Sequence, residues 1–269
     1  MRVAVAGGAG FIGSHLSAAL LAEGHSVVCI DNFVTGRRSN IAHLASDPLF
    51  RVVTHDVSEP LSELGRFDEV YHLASPASPP GYQALPIETL RANSEGTRHL
   101  LDLAVRSGGR FLFASTSEVY GDPLVHPQIE TYRGNVSTTG PRSMYDEAKR
   151  FGEAMTAAYV HRGADARIVR IFNTYGPNSD PADGRLVPNF ISQALRGEPL
   201  TIYGDGMQTR SLCYVSDLVR GLQLAMRAEN ARGQVINLGN PEEHTILEYA
   251  HLVRELTRSS SALVFVEPA

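Results

Sequence analysis

The chain has 269 residues, of which 43% are hydrophobic, and its formal net charge is −5. This length suits one large α/β domain, or a domain with a smaller lobe. The acidic balance, with no basic run longer than Arg37-Arg38, argues against a nucleic-acid partner. The two cysteines exclude a disulfide framework and favour a reducing compartment. No spacing of Cys, His and acidic residues predicts a metal site.

The beginning of the chain and its hydropathy bear on location. Met1 is followed at once by a predicted strand, which leaves no room for a signal peptide. No apolar stretch reaches the roughly 18 residues of a membrane span. We therefore expect a cytoplasmic protein without a membrane partner.

Short β-branched runs alternate with amphipathic helical patterns, which is typical of a parallel sheet covered on both faces. The predicted strands are Arg2–Ala6, Ser26–Asp31, Arg51–Thr54, Glu69–Leu73, Arg110–Ser115 and Arg167–Phe172. The clearest predicted helices between them are Phe11–Glu23, Ile87–Ser107 and Ser143–Arg162. This alternation predicts the α/β class.

The composition of the chain changes after Phe172, and the regular alternation of strands and helices stops. Asn173–Arg185 is rich in Pro, Asn, Asp and Gly and predicts a long loop. The remaining predicted elements are helix Val187–Leu195, strand Leu200–Tyr203, helix Val215–Arg227 and strands Gln234–Leu238 and Leu263–Val266. We expect a sheet domain from residues 1–172 and 212–239, and a discontinuous lobe from residues 173–211 and 240–269. Open α/β sheets bind ligands in the crevice where such a lobe would lie.

The first predicted strand leads into a glycine-rich turn. Gly8, Gly10 and Gly13 fit the pattern G-x-G-x-x-G, and Gly7 gives an overlapping G-x-x-G-x-x-G. Glycines permit a tight turn and a close approach of backbone to pyrophosphate, and the next helix offers free N–H groups to phosphate. A strand before the turn and a helix after it make this a dinucleotide-binding fingerprint.

Asp31 ends the second predicted strand, where an acidic residue can accept both hydroxyls of the adenosine ribose and repels a 2′-phosphate. We therefore expect NAD. Arg37 and Arg38 leave NADP open, because an arginine nearby could receive the phosphate. A turn or cap role for Asp31 also stays open.

Tyr145 and Lys149 lie one helical turn apart on the same predicted face. A tyrosine has an ordinary pKa near ~10, and a nearby ammonium together with a cationic nicotinamide ring would favour its phenolate. Tyr145 could then remove the proton of a substrate hydroxyl. This pair follows a strand that ends in Ser115-Thr116-Ser117, a context that indicates a catalytic site.

Several of these segments carry a family resemblance. Gly7–Gly13, Ser115–Gly121 and Tyr145–Lys149 resemble the extended short-chain dehydrogenases. Asp31–Arg37, His72–Pro80, Ser115–Pro123, Ile171–Thr174 and Gly239–Thr245 are similar to UDP-glucuronate decarboxylases, a group within the NAD-dependent epimerases and dehydratases. The Ala-Ser-Pro-Ala-Ser-Pro-Pro run is the most specific of these. The resemblance implies a Rossmann-type doubly wound parallel sheet with a smaller, discontinuous α/β substrate-binding lobe.

The resemblance also implies the members of the site. The cofactor-binding positions are Gly7, Gly10, Phe11, Ile12, Gly13, Asp31, Asn32, Phe33, Thr35, Gly36, Asp56, Val57, Leu73, Ser75, Thr116, Tyr145, Lys149, Thr174 and Arg185. The substrate-binding positions are Glu118, Asn173, Val187, Tyr203, Gln208 and Arg210. The catalytic positions are Tyr145, Lys149, Thr116, Ser117, Glu118 and Arg210.

The triplet after the fifth strand separates related activities. Related 4,6-dehydratases usually carry Thr-Asp-Glu, with the aspartic acid protonating the departing hydroxide, whereas Thr116-Ser117-Glu118 has the decarboxylase pattern. Serine is a poor proton donor for dehydration. The resemblance implies conversion of UDP-glucuronate to UDP-xylose through a 4-keto sugar, with NAD regenerated. A 4-epimerase or dehydratase, and a non-catalytic NAD-binding scaffold, remain alternatives.

Some individual roles also stay open at this point. Glu118 could be a structural carboxylate near a helix end or an arginine. Arg210 could belong to an ion pair between the two lobes, and Val187 and Tyr203 could be core residues.

Two further expectations follow from the same resemblance. It implies a homodimer that pairs through helices Ile87–Ser107 and Ser143–Arg162, whose apolar positions exceed one buried face. Family members continue beyond the equivalent of Pro268, so we expect the substrate lobe to be short at its C-terminal end.

Overall fold

The structure is a computed structural model that describes residues 1–61 and 64–267. Ser62 and Glu63 of the predicted sheet domain, and Pro268 and Ala269 of the predicted lobe, lie outside the described residues. The strands are β1 (Arg2–Ala6), β2 (Ser26–Asp31), β3 (Phe50–Thr54), β4 (Glu69–His72), β5 (Arg110–Thr116), β6 (Ala166–Ile171), β7 (Thr174–Tyr175), β8 (Leu200–Tyr203), β9 (Thr209–Arg210), β10 (Cys213–Tyr214), β11 (Val235–Leu238), β12 (His244–Thr245) and β13 (Leu263–Val266).

Eight α-helices connect these strands in the described ranges. They are α1 (Phe11–Ala22), α2 (Arg38–Ile41), α3 (Pro79–Ala84), α4 (Pro86–Ser107), α5 (Ser143–His161), α6 (Leu186–Arg196), α7 (Val215–Arg227) and α8 (Ile246–Thr257). None of the helices described is long and apolar enough to cross a bilayer.

Seven strands form one parallel sheet in the order β3-β2-β1-β4-β5-β6-β11. The chain builds β1 to β3 in one direction and then returns to place β4 on the other side of β1. This reversal is the switch point at which open α/β sheets bind ligands, beyond the carboxyl ends of their strands. The predicted Rossmann-type sheet is confirmed, and its strands and major helices end within one residue of the predicted bounds.

Apolar side chains cover both faces of the sheet. On one face α1 and α7 contribute Leu16 and Leu222, both fully buried. On the other face α4 and α5 pack against the strands around Phe111 and Phe113. Burial on both faces explains why these strands appear in the sequence as continuous apolar runs.

A third apolar cluster lies apart from the sheet. It joins α6 and β8 to α8 through Phe190, Ile202 and Ala250. β13 pairs in parallel with β8 along its whole length. The predicted long loop Asn173–Arg185 is irregular except near its start, where Thr174 and Tyr175 form a short parallel pairing with β10.

Candidate active site

The glycine-rich turn between β1 and α1 has no room for side chains. Gly7 has a φ of +78°, in the left-handed region that favours glycine. A Cβ on Gly13 would lie 2.1 Å from the carbonyl oxygen of Gly7. Helix α1 begins at Phe11 without a side-chain cap and without an acidic residue in its first turn. Its free N–H groups can therefore receive an anion such as a pyrophosphate.

Asp31 lies at the end of β2 and is almost fully buried. Its carboxylate accepts hydrogen bonds from the backbone N–H groups of Ala9, at 2.9 Å, and Phe33, at 2.8 Å. Burial raises the pKa of this carboxyl, although the two hydrogen bonds oppose that shift. Each oxygen retains a free lone pair for a ribose hydroxyl. The bond to Phe33 shows that Asp31 also has the turn role left open by the sequence.

Gly36 keeps the space beside Asp31 open. A Cβ at this position would lie 2.6 Å from Oδ1 of Asp31, closer than real side-chain contacts allow. A small recess of about 100 Å³ extends from there. Four of the predicted cofactor residues line this recess and not the larger cleft beside it, namely Asp31, Asn32, Asp56 and Val57. Asn32 is held in place by Asp56, whose carboxylate accepts its side-chain N–H at 3.0 Å.

The recess adjoins a larger cleft of about 1090 Å³ at the carboxyl ends of the strands. The other predicted cofactor residues line this cleft, namely Gly7, Gly10, Phe11, Ile12, Gly13, Phe33, Thr35, Gly36, Leu73, Ser75, Thr116, Tyr145, Lys149, Thr174 and Arg185. The predicted catalytic and substrate residues also line it, namely Ser117, Glu118, Asn173, Val187, Tyr203, Gln208 and Arg210. The fold therefore brings every predicted site residue to these two connected spaces.

Tyr145 and Lys149 are buried in the floor of the cleft, one turn apart on α5. The Lys149 ammonium lies 5.9 Å from the centre of the Tyr145 ring and donates a hydrogen bond of 2.8 Å to the Ala114 carbonyl oxygen. Thr116 lies at the end of β5, and its hydroxyl is near enough to that of Tyr145 to lower the pKa of the phenol. A proton acceptor and a hydroxyl that can orient a substrate therefore share one point of the cleft.

Without nucleotide, the enclosed floor of the cleft favours the uncharged forms of both Tyr145 and Lys149. Burial raises the pKa of Tyr145, while the charge of Arg185 and the nearby Thr116 side chain oppose that shift. Burial also lowers the pKa of Lys149 to about 7, with Glu153 opposing the shift. Burial is the largest cause of both shifts, because the enclosed floor of the cleft disfavours the charged form of each group.

Lys149 is the only lysine in the chain, so its titration can be measured directly. We expect the side-chain NMR signal of lysine-labelled, nucleotide-free protein to titrate with a midpoint near the pKa of about 7. An unfolded lysine keeps its proton to about pH 10.4, so stability should rise with pH between these two values. The variant Glu153→Gln should lower the midpoint further, since it removes a stabilising charge. A midpoint close to that of unfolded lysine would contradict this account.

Glu118 forms an ion pair with Arg142, a residue that the sequence analysis did not single out. Glu118 lies in a short 3₁₀ helix, Ser117–Tyr120, and Arg142 immediately precedes α5. Both side chains line the cleft. The arginine partner left open by the sequence is therefore present, and it holds the carboxylate at the site where substrate would bind.

Arg210 extends into the cleft from β9. Its guanidinium donates to the Thr209 carbonyl oxygen at 2.7 Å, and no acidic side chain pairs with it among the described residues. Pairing of β9 with β12 fixes its backbone, and the hydroxyl of Tyr249 donates to its carbonyl oxygen at 3.1 Å. Among the described residues, Arg210 therefore does not form the ion pair between lobes that the sequence left open. Arg210 offers an uncommitted positive charge to an acidic ligand.

Two further residues support the catalytic floor without having been predicted. The ring of Tyr82, on α3, stacks on Tyr145 with centroids 5.0 Å apart. Glu153, one turn beyond Lys149, forms a bidentate ion pair with Arg170 at 2.9 and 2.8 Å and accepts from Ser115 at 2.5 Å. Glu153 lies four residues after Lys149, so the helical spacing could have placed it on the same face of α5. Nothing in the sequence near Tyr82 indicated that it stacks on Tyr145.

Comparison with known proteins assigns the chain to a family. The family model described as the NAD dependent epimerase/dehydratase family matches residues 3–239. The chain belongs to this family. It is 52% identical over its whole length to UDP-glucuronic acid decarboxylase 1 of Danio rerio, and it spans 63% of that protein.

Two further proteins show the range of similarity. UDP-glucuronic acid decarboxylase 5 of Arabidopsis thaliana is 50% identical over 99% of this chain and 78% of its own length. The crystal structure of UDP-glucuronic acid 4-epimerase from Bacillus cereus in complex with NAD is 30% identical and superposes with a TM-score of 0.85. That match covers 99% of this chain and 88% of the epimerase chain. Family membership and fold expected from the sequence are both confirmed.

Proposed function

We propose that this protein decarboxylates UDP-glucuronate to UDP-xylose through a 4-keto sugar, with NAD regenerated in each turnover. The observation that carries the proposal is the triplet Thr116-Ser117-Glu118 beside Tyr145 in the cleft. The cleft floor has an acceptor for a hydroxyl proton, but serine stands where dehydration requires an acid. The decarboxylases that are 50–52% identical to the whole chain support this choice.

The residues present fit NAD. The turn at Gly7 and Gly13 has space only for backbone, the N-terminus of α1 is uncapped, and Asp31 lies beside a recess that Gly36 keeps open. Bound NAD would supply a hydride acceptor for the sugar C4 and a hydride donor for its later reduction. Asp31 would hold the adenosine ribose, and the α1 N-terminus would hold the pyrophosphate.

The chain's own residues would perform the proton chemistry. Thr116 orients the sugar 4-hydroxyl, and Tyr145 removes its proton. Arg210 binds the sugar carboxylate through its guanidinium, which has no acidic partner among the described residues. When carbon dioxide leaves the 4-keto acid, its electron pair delocalises onto the ketone oxygen as an enolate, which Tyr145 and Thr116 stabilise by donating hydrogen bonds. Ser117 and Glu118 then take part in the transfer of a proton to C5.

The rest of the site would hold the uridine diphosphate. Asn173, Val187, Tyr203 and Gln208 line the same cleft, and Val187 and Tyr203 belong to α6 and β8. Gln208 is fixed there by a hydrogen bond of 2.7 Å from its amide to the Tyr203 carbonyl oxygen. We propose the division into residues 1–172 with 212–239 and residues 173–211 with 240–269 on the same grounds, because a separate apolar cluster supports the second unit.

Product analysis tests this function. The full chain is incubated with UDP-glucuronate and NAD, and nucleotide sugars are separated by mass. We expect a product lighter by one carbon dioxide. An isomer of unchanged mass would indicate the 4-epimerase alternative, loss of water a dehydratase, and bound NAD without any product a non-catalytic scaffold.

The variant Glu118→Gln tests the role of the triplet. We expect it to impair a step after or close to C4 oxidation, by about 10²-fold or more, because a carboxylate that moves a proton is lost. Rapid-quench analysis should show the 4-keto sugar accumulating relative to wild type. Arg142→Gln is the matched control, since it breaks the same ion pair but keeps the carboxylate. Full activity of Glu118→Gln would leave only a structural role for this residue.

We also propose a homodimer that forms through α4 and α5. These helices expose Ile87, Leu90, Val105 and Phe151 to solvent in the single chain, between 38% and 61% of each residue. Light scattering should give twice the chain mass at micromolar concentration, and Phe151→Glu should give a monomer. Leu195→Glu, an exposed leucine on α6, is the control that should remain dimeric. A wild-type monomer would refute this assignment.

The location is a further part of this proposal. Both cysteines are free and buried, which fits a reducing compartment such as the cytoplasm.

A further inference from the structure

The loop between β7 and α6 contains an acidic residue that contacts the cofactor side of the cleft. Asp180 forms an ion pair with Arg37, which belongs to the segment between β2 and α2. The same loop is attached to α1, where Asn178 donates to Ser14 at 3.4 Å. The pair thus joins the loop above the cleft to the residues beside the predicted ribose site.

Two hydrogen bonds through Ala9 hold the backbone of Arg37 close to the Asp31 carboxylate. Its N–H donates to the carbonyl oxygen of Ala9 at 3.0 Å, and the N–H of Ala9 donates to the Asp31 carboxylate at 2.9 Å. The preceding residue, Gly36, lies directly against that carboxylate. An arginine at such a position can pair with the 2′-phosphate of NADP.

The guanidinium of Arg37 contacts Asp180 and does not line the recess around Asp31. It lines the large cleft together with Asp180, whereas the recess around Asp31 is lined by Thr35 and Gly36 but not by Arg37. The neighbouring Arg38 is also engaged, since its guanidinium stacks over the Phe33 ring at 4.0 Å and donates to Thr54 at 3.4 Å. The two arginines that left NADP open in the sequence are both committed to other partners.

We propose that Asp180 is a specificity-determining residue, which withholds Arg37 from a 2′-phosphate and so favours NAD over NADP. This inference rests on the proposed use of a nicotinamide dinucleotide. The phosphate adds about 1.5 to 2 negative charges and needs the guanidinium fork of an arginine to offset them. Asp180 occupies that fork and adds a negative charge of its own. Discrimination therefore has two sources: Asp31, which repels the phosphate, and Asp180, which removes its potential partner.

Cofactor binding to the full chain, measured by calorimetry without nucleotide sugar, tests the proposal. The dissociation constants for NAD and NADP are determined for wild type, Asp180→Asn, Arg37→Gln and the double variant. We expect Asp180→Asn to narrow the preference for NAD about tenfold, the size of one charged hydrogen bond, by tightening NADP. The affinity for NAD should stay within about twofold, and raised salt should reduce the gain.

The double variant identifies the origin of the gain. If released Arg37 binds the phosphate, Asp180→Asn with Arg37→Gln should return to the wild-type preference. An unchanged preference in Asp180→Asn, or a gain that persists in the double variant, would overturn the proposal. Tighter binding of NADP than NAD by wild type would overturn it as well. Decarboxylation of UDP-glucuronate by wild type is assayed separately, so that failure of the proposed function is recognised independently.

Discussion

Replacing Tyr145 by phenylalanine is expected to lower turnover of UDP-glucuronate by about 10²- to 10⁴-fold, the usual contribution of a positioned acid or base. The phenol lies in the floor of the cleft with Thr116, and its loss leaves the 4-hydroxyl proton without an acceptor. Affinity for NAD should change little, because the glycine turn and Asp31 are untouched. Single-turnover kinetics and calorimetry of the same preparation separate the two effects.

Tyr159→Phe is the matched control, because it removes the same hydroxyl from the same helix. Tyr159 donates to Asp102 at 2.6 Å, away from the cleft. We expect a loss of about 1 kcal/mol in the free energy of unfolding and unchanged turnover. Substantial turnover by Tyr145→Phe would mean that another group accepts the substrate proton.

The second large effect is expected from Gly13→Ala. The new Cβ would approach the Gly7 carbonyl oxygen to 2.1 Å, so the turn or the start of α1 must shift. Either shift displaces the N–H groups that would receive pyrophosphate. We expect NAD affinity to fall by at least about 10²-fold, equal to the loss of about 2.7 kcal/mol of binding free energy. Calorimetric titration with NAD measures the loss.

Gly24→Ala provides the comparison at the other end of the same helix. Gly24 has a φ of +79° and nothing within 4 Å of its would-be Cβ, so the substitution strains only the local backbone. It should cost about 1 kcal/mol of stability without altering NAD binding. Equal losses of affinity in the two variants would show that the effect comes from general destabilisation and not from the turn.

Local patterns predicted the parts of the site that depend on nearby residues. Gly7 to Gly13 indicated both the turn and the helix, because only glycine allows that close approach between chain segments. Tyr145 and Lys149 shared a face because helical spacing is fixed. The position of Asp31 at the end of β2 predicted that it lies at the carboxyl ends of the strands, where open parallel sheets bind ligands.

Contacts between distant segments could not be predicted in this way. Glu118 and Arg142 are separated by a long irregular segment, and Arg37 meets Asp180 only because a loop crosses the cleft. The depressed pKa of Lys149 was also beyond the sequence, since it depends on how completely the floor is closed to water. Periodicity and motif spacing carry no information about contacts between distant segments or about the exclusion of water from the cleft floor.

The proposed reaction is defined by loss of the sugar carboxyl and return of the same hydride to C4. It is tested most directly with UDP-glucuronate that carries ¹³C in its carboxyl group and deuterium at C4, followed by NMR in the presence of the full chain and NAD. We predict one labelled carbon dioxide for each UDP-xylose formed, deuterium retained at C4, and no accumulation of reduced nicotinamide. A nucleotide sugar that keeps its ¹³C, or deuterium lost to stoichiometric reduced nicotinamide, would contradict the account.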